Sequence, residues 1–323
     1  MTPFGTLADG RPVHALTLTA GDLTVSLLTL GATIRDLRLA GVGHSLTLGS
    51  DDPQDYTGGR LAWFGSLVGP VANRIANARA TIGGRQLQFE ANQQGRHALH
   101  SGAASSCHKL WQVVDHGPAH ATLALDLPDG EGGFPGNRHV TARFAITDAA
   151  TLTQTVTTTT DAATLVNFTN HGYWNLDGSA HWTGHTLRIA ADRYLAIDDD
   201  LIPQGPPRAV QGTPFDLRQG YVMSPGDPVL DHNFCLSDAA VPLRDVLWLT
   251  GQSGMTMVLA TTEPGVQVYD GRAARLPGGA FHQGLAIEAQ GWPDAPNRPD
   301  FPSVLLAAGD TRTQVTQWRF TPA

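Results

Sequence analysis

Four polar segments of this 323-residue chain place proton-transferring and hydroxyl-binding side chains among apolar neighbours. In chain order they are VANRIANA (71–78), HALHSG (97–102), LVNFTNHGYWNL (165–176) and GLAIEAQGWPDAPN (284–297). Histidine gives and retakes a proton near neutral pH, a carboxylate accepts one, and amide or guanidinium groups bind oxygen-rich ligands. These segments are therefore the first candidates for a site.

The segment 165–176 is the densest in polar side chains, with Asn167, Asn170, His171, Tyr173 and Asn175 between apolar residues. Buried amides need hydrogen-bond partners. A hydroxyl-rich ligand would supply them, and Tyr173 offers a ring face to sugar C–H groups. A strand that ends in an Asn-rich turn explains the same residues equally well, so both interpretations stay open.

The segment 284–297 begins as a strand, which predicts that Leu285 and Ile287 share one face and Ala286 and Glu288 the other. The second face is either exposed to solvent or the floor of a pocket. A carboxylate between small residues, followed by the polar and aromatic run QGWPD, favours the pocket floor.

Other positions are ambiguous when each is taken alone. Asn73 and Arg74 fit a surface strand with a solvated arginine as well as they fit a site. His100, beside an apolar residue and before a turn, favours a structural hydrogen-bonding role. The segment DHNFCL (231–236), which starts at Asp231, favours a polar turn leading into a strand.

The composition argues against several classes of protein. Lys and Arg number 21 against 29 Asp and Glu, and the net charge of -8 argues against binding to nucleic acid. No run of about 18 apolar residues predicts a membrane span, and the first residues do not resemble a secretion signal. Cys107 and Cys235 are too few for a disulfide framework and fit a reducing compartment, which predicts a cytoplasmic protein.

Sequence motifs for metals, phosphates and covalent nucleophiles are missing, so we expect no metal and no cofactor. The sequence has no HExxH or CxxC pair, no GxSxG and no glycine-rich phosphate loop before a helix. His181 and His185 are four residues apart, but no helix is predicted there that would bring them to one face.

The elements that must position these side chains are predicted to be strands from end to end. Short β-branched or alternating segments are found at 13–19, 23–30, 33–39, 85–90, 121–126, 139–147, 152–159, 163–169, 185–190, 245–249, 255–261, 265–269, 284–289, 303–307 and 311–320. Turns rich in Gly and Pro separate them, and helical periodicity is nearly absent. This pattern predicts one all-β domain over residues 1–323, with long loops at 50–62, 92–107 and 270–283.

In order and spacing, these segments resemble those of the aldose 1-epimerase (galactose mutarotase) family over nearly the whole chain. The matching segments are GSLVGPVANRIANA (65–78), ALHSG (98–102), GFPGN (133–137), VNFTNHGYWNL (166–176), LIPQG (201–205), GTPFDLR (212–218), DHNFCL (231–236), GVQVYDG (265–271) and IEAQGWPDAPN (287–297). Each fragment is weak alone, whereas the ordered set is specific. The resemblance implies a large antiparallel β-sandwich, the galactose mutarotase-like supersandwich, with the site in a concave groove.

The resemblance also implies roles at the matching positions. His171 would be the general acid and Glu288 the general base. The sugar site would be lined by Asn73, Arg74, His100, Tyr173, Asp231 and Gln267, with Gly172 contributing through its backbone. The implied partner is a small-molecule aldose sugar, bound by a monomer or homodimer.

Three departures from the family's usual pattern put the preferred sugar in question more than the reaction. Gly69-Pro70 stands where the family often has Gly-Arg, and Ser101 stands where it has Gly. Tyr269-Asp270-Gly271-Arg272 replaces its Tyr-Thr-Gly-Asn.

The implied reaction exchanges the α and β anomers of free hexoses such as glucose and galactose. A base takes the proton of the anomeric hydroxyl, an acid protonates the ring oxygen, and the ring opens to an aldehyde and recloses on its other face. His171 would work near its ordinary pKa of about 6.5. Glu288 would start ionised unless burial raises its ordinary pKa of about 4.3.

Three alternatives remain open from the sequence. A hexose-6-phosphate 1-epimerase would need extra cations in the groove, for which Arg272, Arg275 and Arg298 are candidates. A non-catalytic sugar-binding β-sandwich would bind without turnover. A glycosidase would need a second carboxylate beside Glu288, for which Asp231 is the candidate.

Overall fold

Strands form most of the regular structure in the computed structural model, which describes residues 1–322. In chain order the strands are β1 Thr2–Thr6, β2 Pro12–Ala20, β3 Leu23–Leu28, β4 Thr33–Leu39, β5 Leu67–Val68, β6 Arg74–Ile75, β7 Arg79–Ile82, β8 Arg85–Gln88, β9 Ala98–Leu99, β10 Gln112–His116, β11 His120–Leu127, β12 Arg138–Asp148, β13 Thr151–Thr160, β14 Thr164–Leu165, β15 Thr169–Asn170, β16 Gly172–Trp174, β17 Thr186–Ile189, β18 Arg193–Tyr194, β19 Arg208–Ala209, β20 Tyr221–Val222, β21 Asp231–Cys235, β22 Arg244–Thr250, β23 Thr256–Thr261, β24 Gly265–Tyr269, β25 Leu285–Gln290, β26 Leu305–Leu306 and β27 Thr311–Thr321.

Helical structure is limited to short pieces. The described residues contain one α-helix, α1, at Pro53–Thr57. Single 3₁₀ turns lie at Ala76–Ala78, Gly102–Ala104, Ser106–His108, Glu131–Gly133 and Ala295–Asn297. Within residues 1–322, no helix combines the length and the apolar character that a membrane span requires.

Three antiparallel sheets make up the body of the molecule. The largest has nine strands in the order β10-β11-β12-β13-β27-β23-β22-β17-β20. The second has six strands, β16-β25-β24-β21-β18-β19, and the third has four, β1-β2-β3-β4. Two-residue ladders such as β15-β5 and β6-β9 tie the connecting segments to one another.

One large apolar core cluster receives side chains from all three sheets. Alternation along each strand sends every second residue inward, as Val140 and Phe144 of β12 show. Leu16 of the four-stranded sheet and Ile287 of the six-stranded sheet belong to the same cluster. Burying one such aliphatic or aromatic side chain stabilises the fold by about 1.5–3 kcal/mol. The sheets are thus layers around a shared core, which confirms the predicted antiparallel β-sandwich.

The structure differs from the sequence predictions where tertiary pairing overrides local pattern. The predicted strand 163–169 is divided, because Thr164–Leu165 pairs with β26 and Thr169–Asn170 pairs with β5. The segment 231–236, which alone favoured a turn before a strand, is itself the central strand β21 between β24 and β18. Its run of three polar residues resembles a turn locally, although Asp231 lines a groove described below and His232 packs against Phe215.

The elements that were not predicted include two edge strands and the helix. The strands β1 and β10 lie at sheet edges with mostly exposed side chains, so they lack the alternation that marks a half-buried strand. The helix α1 lies in the predicted loop 50–62. Asp52 caps it by accepting a hydrogen bond from the Gln54 backbone N–H, and Pro53 occupies its first turn.

Candidate active site

An open groove with a volume of about 590 Å³ lies on the face of the six-stranded sheet that points away from the shared core. This volume is in the range of small-molecule sites. Seven of the residues predicted from the sequence line it, from five separate parts of the chain: Asn73, Arg74, His100, His171, Tyr173, Asp231 and Glu288. The fold therefore brings together most of the predicted site.

Glu288 reaches the groove through the alternation of strand β25. Ile287 and Leu285 join the shared core, so Glu288 points to the opposite face. Its side chain is buried, with 2% of the residue exposed. Of the two sequence interpretations for this face, the structure shows the pocket floor and not the solvent-exposed surface.

Gln267 lies next to Glu288 across the β24–β25 pairing. Its amide Nε2 donates a hydrogen bond of 2.7 Å to Oδ1 of Asp231 on β21. Gln267 is buried and does not line the groove. Its contact with a sugar stays a prediction, and what the geometry supports is a role in orienting Asp231.

His171 is fixed by backbone bonds at the break between β15 and β16. Its N–H donates to the Ser66 carbonyl and its carbonyl accepts from the Gly65 N–H, each at 2.9 Å. The imidazole is buried, and its Nε2 lies 3.5 Å from Oε1 of Glu288. The indole of Trp63 stacks over the imidazole, with ring centroids 6.3 Å apart.

Gly172 follows His171 in strand β16, opposite Ile287 of β25. It does not line the groove, so the predicted backbone contact with a sugar stays a prediction. A side chain here would meet Asn170 Oδ1 and Trp174 Nε1 at 3.0 Å, which explains why a glycine fits.

Asn73 and His100 hold one another in place. The Asn73 N–H donates to Nδ1 of His100 at 3.1 Å, and the His100 N–H donates to the Asn73 carbonyl at 2.8 Å. Both residues have left-handed backbone conformations, with φ values of 60° and 51°. Non-glycine residues adopt such conformations rarely and often at functional sites. His100 is therefore both a structural hydrogen-bonding group, as its local sequence favoured, and part of the groove.

Arg74 is buried at the floor of the groove and is not the solvated arginine of the surface-strand interpretation. Its Nε donates to Oε1 of Gln93 at 2.9 Å, and its Nη1 donates to Oδ1 of Asn73 at 3.3 Å. Burial lowers the pKa of Arg74, and the negative charges of Asp231 and Glu288 oppose this shift. The guanidinium supplies a fixed positive charge beside the two carboxyl groups.

One cluster in residues 1–322 has enough potential ligands for a metal ion. Single ligand atoms of His100, His171 and Glu288 all lie within 4.8 Å of one another. Two histidines and a glutamate form a known catalytic zinc set. However, Nδ1 of His100 accepts a hydrogen bond from Asn73, so in the neutral ring the hydrogen is on Nε2. That nitrogen is arranged to donate a hydrogen bond and not to ligate a cation.

Burial shifts the pKa values of the groove residues toward their neutral forms. It lowers the pKa of His171 to about 4. It lowers the pKa of His100 well below its ordinary value, helped by the neighbouring His171 and Arg74. It raises the pKa of Glu288 well above its ordinary value; Asp231 raises it further, whereas Arg74 lowers it. For Glu288 this is the exception that the sequence analysis allowed, whereas the pKa of His171 lies below the value near 6.5 that the sequence predicted.

The rim of the groove is formed by side chains that the sequence patterns mostly missed. We define the rim as Arg60, Trp63, Arg272 and Arg275, all of which are at least partly exposed. Trp63 belongs to no polar motif. The one feature of the sequence that could have indicated it is its position as an aromatic residue directly after the predicted long loop 50–62. Arg298 does not line the groove and pairs with Asp300.

The three departures from the family pattern lie outside the groove floor. The Ser101 hydroxyl accepts from the Val71 N–H at 3.0 Å and donates to the Val71 carbonyl at 2.9 Å. The Pro70 carbonyl accepts a hydrogen bond from the Asn167 N–H. Asp270 is buried and binds the Arg272 guanidinium. Each replacement therefore makes backbone or rim contacts and leaves the floor residues unchanged.

Comparison with known proteins identifies a sequence family. A family model described as Aldose 1-epimerase matches residues 14–319. The galactose mutarotase of Mus musculus is 34% identical over an alignment that covers 100% of this chain and 98% of that protein. The aldose 1-epimerase of Escherichia coli (strain K12) is 32% identical, with 97% of this chain and 96% of that protein covered.

Solved structures show the same fold. A crystal structure of an aldose epimerase homologue from C. elegans superposes with a TM-score of 0.89 and 28% identity, covering 96% of this chain and 99% of that one. A galactose 1-epimerase from Lactobacillus acidophilus NCFM superposes with a TM-score of 0.86 over 100% of this chain and 98% of that one, and at 23% identity it supports the fold.

Proposed function

The chain belongs to the aldose 1-epimerase family, and from this premise we propose that it interconverts the α and β anomers of free aldose sugars, with hexoses such as galactose and glucose as substrates. The observation that carries the proposal is the buried pair of His171 and Glu288, 3.5 Å apart at the floor of the groove. This pair offers a proton donor and a proton acceptor to two neighbouring oxygens of one ligand.

In the proposed reaction the ring opens by two proton transfers. The pair reaches its reacting form when its one proton moves from Glu288 to His171, whose Nε2 lies 3.5 Å from Oε1. The Glu288 carboxylate then takes the proton of the anomeric hydroxyl O1, and the His171 imidazolium gives a proton to the ring oxygen O5. The electron pair of the C1–O5 bond moves to O5, and O1 becomes the aldehyde oxygen. Positioned proton transfers of this kind contribute about 10²–10⁴-fold to a rate.

The pair ends the opening step uncharged, with Glu288 protonated and His171 neutral. This is the arrangement that burial favours for both groups. Rotation about C1–C2 then presents the other face of the aldehyde, and the same two transfers run backward to close the ring. The pair holds one transferable proton throughout, so each turnover takes up and releases no net proton.

Neighbouring groups have supporting roles in this scheme. Arg74 stabilises the ionised form of Glu288, because its charge lowers the pKa of that carboxyl against the effect of burial. His100 donates from Nε2 to an oxygen of the sugar, since Asn73 occupies its other nitrogen. Asp231, oriented by Gln267, accepts a hydrogen bond from a sugar hydroxyl. Tyr173 and Trp63 supply ring faces to the C–H groups.

Polarimetry of freshly dissolved α-D-galactose and α-D-glucose tests the proposal. We expect Glu288→Gln and His171→Asn each to lower kcat by 10²–10⁴-fold while the protein stays folded. The matched controls are His97→Asn and Glu263→Gln, which alter a buried histidine and a buried glutamate outside the groove. The proposal is contradicted if both groove variants keep near wild-type rates, or if the controls lose activity equally.

Two further measurements distinguish this reaction from that of a non-catalytic sugar-binding module and from that of a glycosidase. Binding of a sugar by the wild-type protein without faster mutarotation would favour a non-catalytic sugar-binding module. Release of sugar from an aryl glycoside would favour a glycosidase that pairs Asp231 with Glu288.

We also propose a cytoplasmic location and a monomer or homodimer. Two cysteines, both free and buried, support a reducing compartment. Fractionation of the source cells and light scattering of the purified protein test these two statements separately.

A further inference from the structure

The groove is richer in positively charged side chains than the chain as a whole. The chain has a net charge of -8, yet the groove is lined by four arginines, Arg60, Arg74, Arg272 and Arg275, against two carboxyl groups. Burial also holds one of these, Glu288, toward its neutral form. Cations at the mouth of a concave site attract ligands of the opposite charge.

The arginines of the groove differ in whether their charge is already paired. Arg272 donates to both carboxylate oxygens of Asp270 and to the Leu230 carbonyl. Arg60 contacts Oδ1 of Asp55 at 3.3 Å.

Arg275 is the unpaired cation of the rim. It has no acidic partner within residues 1–322, and its guanidinium stacks on the Phe281 ring at 4.6 Å. Stacking on an aromatic ring orients the planar guanidinium and leaves its N–H donors free.

These cations lie at the entrance of the groove on two different connections. Arg60 follows α1 on one side, and Arg275 lies on the connection between β24 and β25. The acid–base pair is at the buried floor, so a sugar that reaches it with O1 and O5 extends its remaining substituents toward the rim.

We propose that the groove is adapted to aldoses that carry an anionic substituent, a carboxylate or a phosphate, which Arg275 binds with support from Arg60. This inference rests on the proposed mutarotase function and specifies its substrate class. An arginine fork matches both kinds of anion geometrically, so the cation itself does not select between them.

The experiment compares kcat/KM for three sugars with a free anomeric carbon: neutral D-galactose, D-galacturonate and D-galactose 6-phosphate. The wild-type protein is expected to prefer at least one anionic sugar to D-galactose by about tenfold at low salt, and added salt should reduce the preference. Arg275→Gln should lower the ratio of anionic to neutral kcat/KM about tenfold, and Arg275→Lys should restore part of it.

Arg188→Gln is the matched control. Arg188 also stacks on an aromatic ring, Trp248, at 3.5 Å, and it is exposed on the nine-stranded sheet outside the groove. This variant should leave every rate and ratio unchanged. Preference for galacturonate alone or for the phosphate alone supports the inference and identifies the anion.

The inference is overturned if the wild-type protein turns over D-galactose at least as well as both anionic sugars and Arg275→Gln leaves the ratio unchanged. Failure of the wild-type protein to accelerate mutarotation of any of the three sugars would instead overturn the proposed function. The two failures are therefore distinguishable in one set of measurements.

Discussion

The depressed pKa of His171 gives a quantitative prediction for the dependence of turnover on pH. The working pair carries one transferable proton, shared between His171 and Glu288. Acid adds a second proton to His171, which removes the proton acceptor needed for ring closure. Because burial lowers the pKa of His171 to about 4, this loss should occur near pH 4 and not near the ordinary imidazole value.

The two pKa values give the largest difference in the neutral fraction of the histidine about one pH unit below the ordinary imidazole pKa. At pH 5.5, a histidine with a pKa of about 6.5 retains roughly 9% of its neutral form, whereas one with a pKa of about 4 retains roughly 97%. We therefore expect kcat/KM to be nearly constant between pH 7 and 5.5. Loss of the proton from Glu288 should limit the alkaline side, above the ordinary carboxyl range, because its pKa is raised.

The assay is polarimetry of α-D-galactose across pH 4–8, extrapolated to zero buffer and corrected for the uncatalysed rate. His171 and Glu288 titrate as a coupled pair. The pKa values read from the acid and alkaline sides of the pH profile are therefore apparent values for the pair. A tenfold loss of kcat/KM by pH 5.5 would refute the reasoning, because it would mean that His171 titrates as a solvated imidazole.

Folding must be followed over the same range. A histidine whose pKa is lowered on folding binds fewer protons in the folded state than in the unfolded state between its two pKa values. Stability therefore falls as pH falls from about 6.5 to about 4. Circular dichroism at each pH separates this loss from a loss of catalysis, and His171→Asn should weaken the dependence of the melting temperature on pH.

Three substitutions give further predictions. Trp63→Ala removes the ring stacked over His171, so KM should rise severalfold. Because His171 also becomes more solvated, the apparent pKa on the acid side of the polarimetric pH profile should rise toward about 6.5. Arg74→Met removes the positive charge that stabilises the ionised form of Glu288, so kcat should fall at least tenfold. Initial rates over a range of galactose concentrations give kcat and KM separately. Ser101→Gly removes only bonds to the Val71 backbone, so the kcat/KM ratio of galactose to glucose should stay within about twofold.

Much of the fold was predictable because the strand signal is local. The predicted segment 152–159, rich in threonine, lies within the long central strand β13, and the glycine-containing turns at Gly83-Gly84 and Asp177-Gly178 lie where glycine adopts positive φ. Pairing partners were not predictable, since the break between β14 and β15 depends on β26 and β5, each more than a hundred residues away along the chain. Edge strands with exposed side chains also escaped prediction.

The site was only partly accessible to local pattern. The alternation of β25 correctly separated Glu288 from Ile287, because period-two geometry is independent of context. Burial of Arg74 and the strand character of 231–236 could not be read locally, since both depend on the groove that other segments complete. Trp63 had no polar motif to mark it. The pKa shifts of His171 and Glu288 follow from burial in that assembled groove and have no counterpart in sequence spacing.

The central claim is that Glu288 serves O1 and His171 serves O5. A crystal structure of Glu288→Gln with bound D-galactose tests it most directly, because this substitution keeps the shape of the side chain while blocking turnover. The account predicts O1 within about 2.6–3.2 Å of the amide at position 288 and O5 within the same distance of His171 Nε2. A sugar bound with O1 and O5 directed away from this pair, toward Asp231 or the rim, would contradict it.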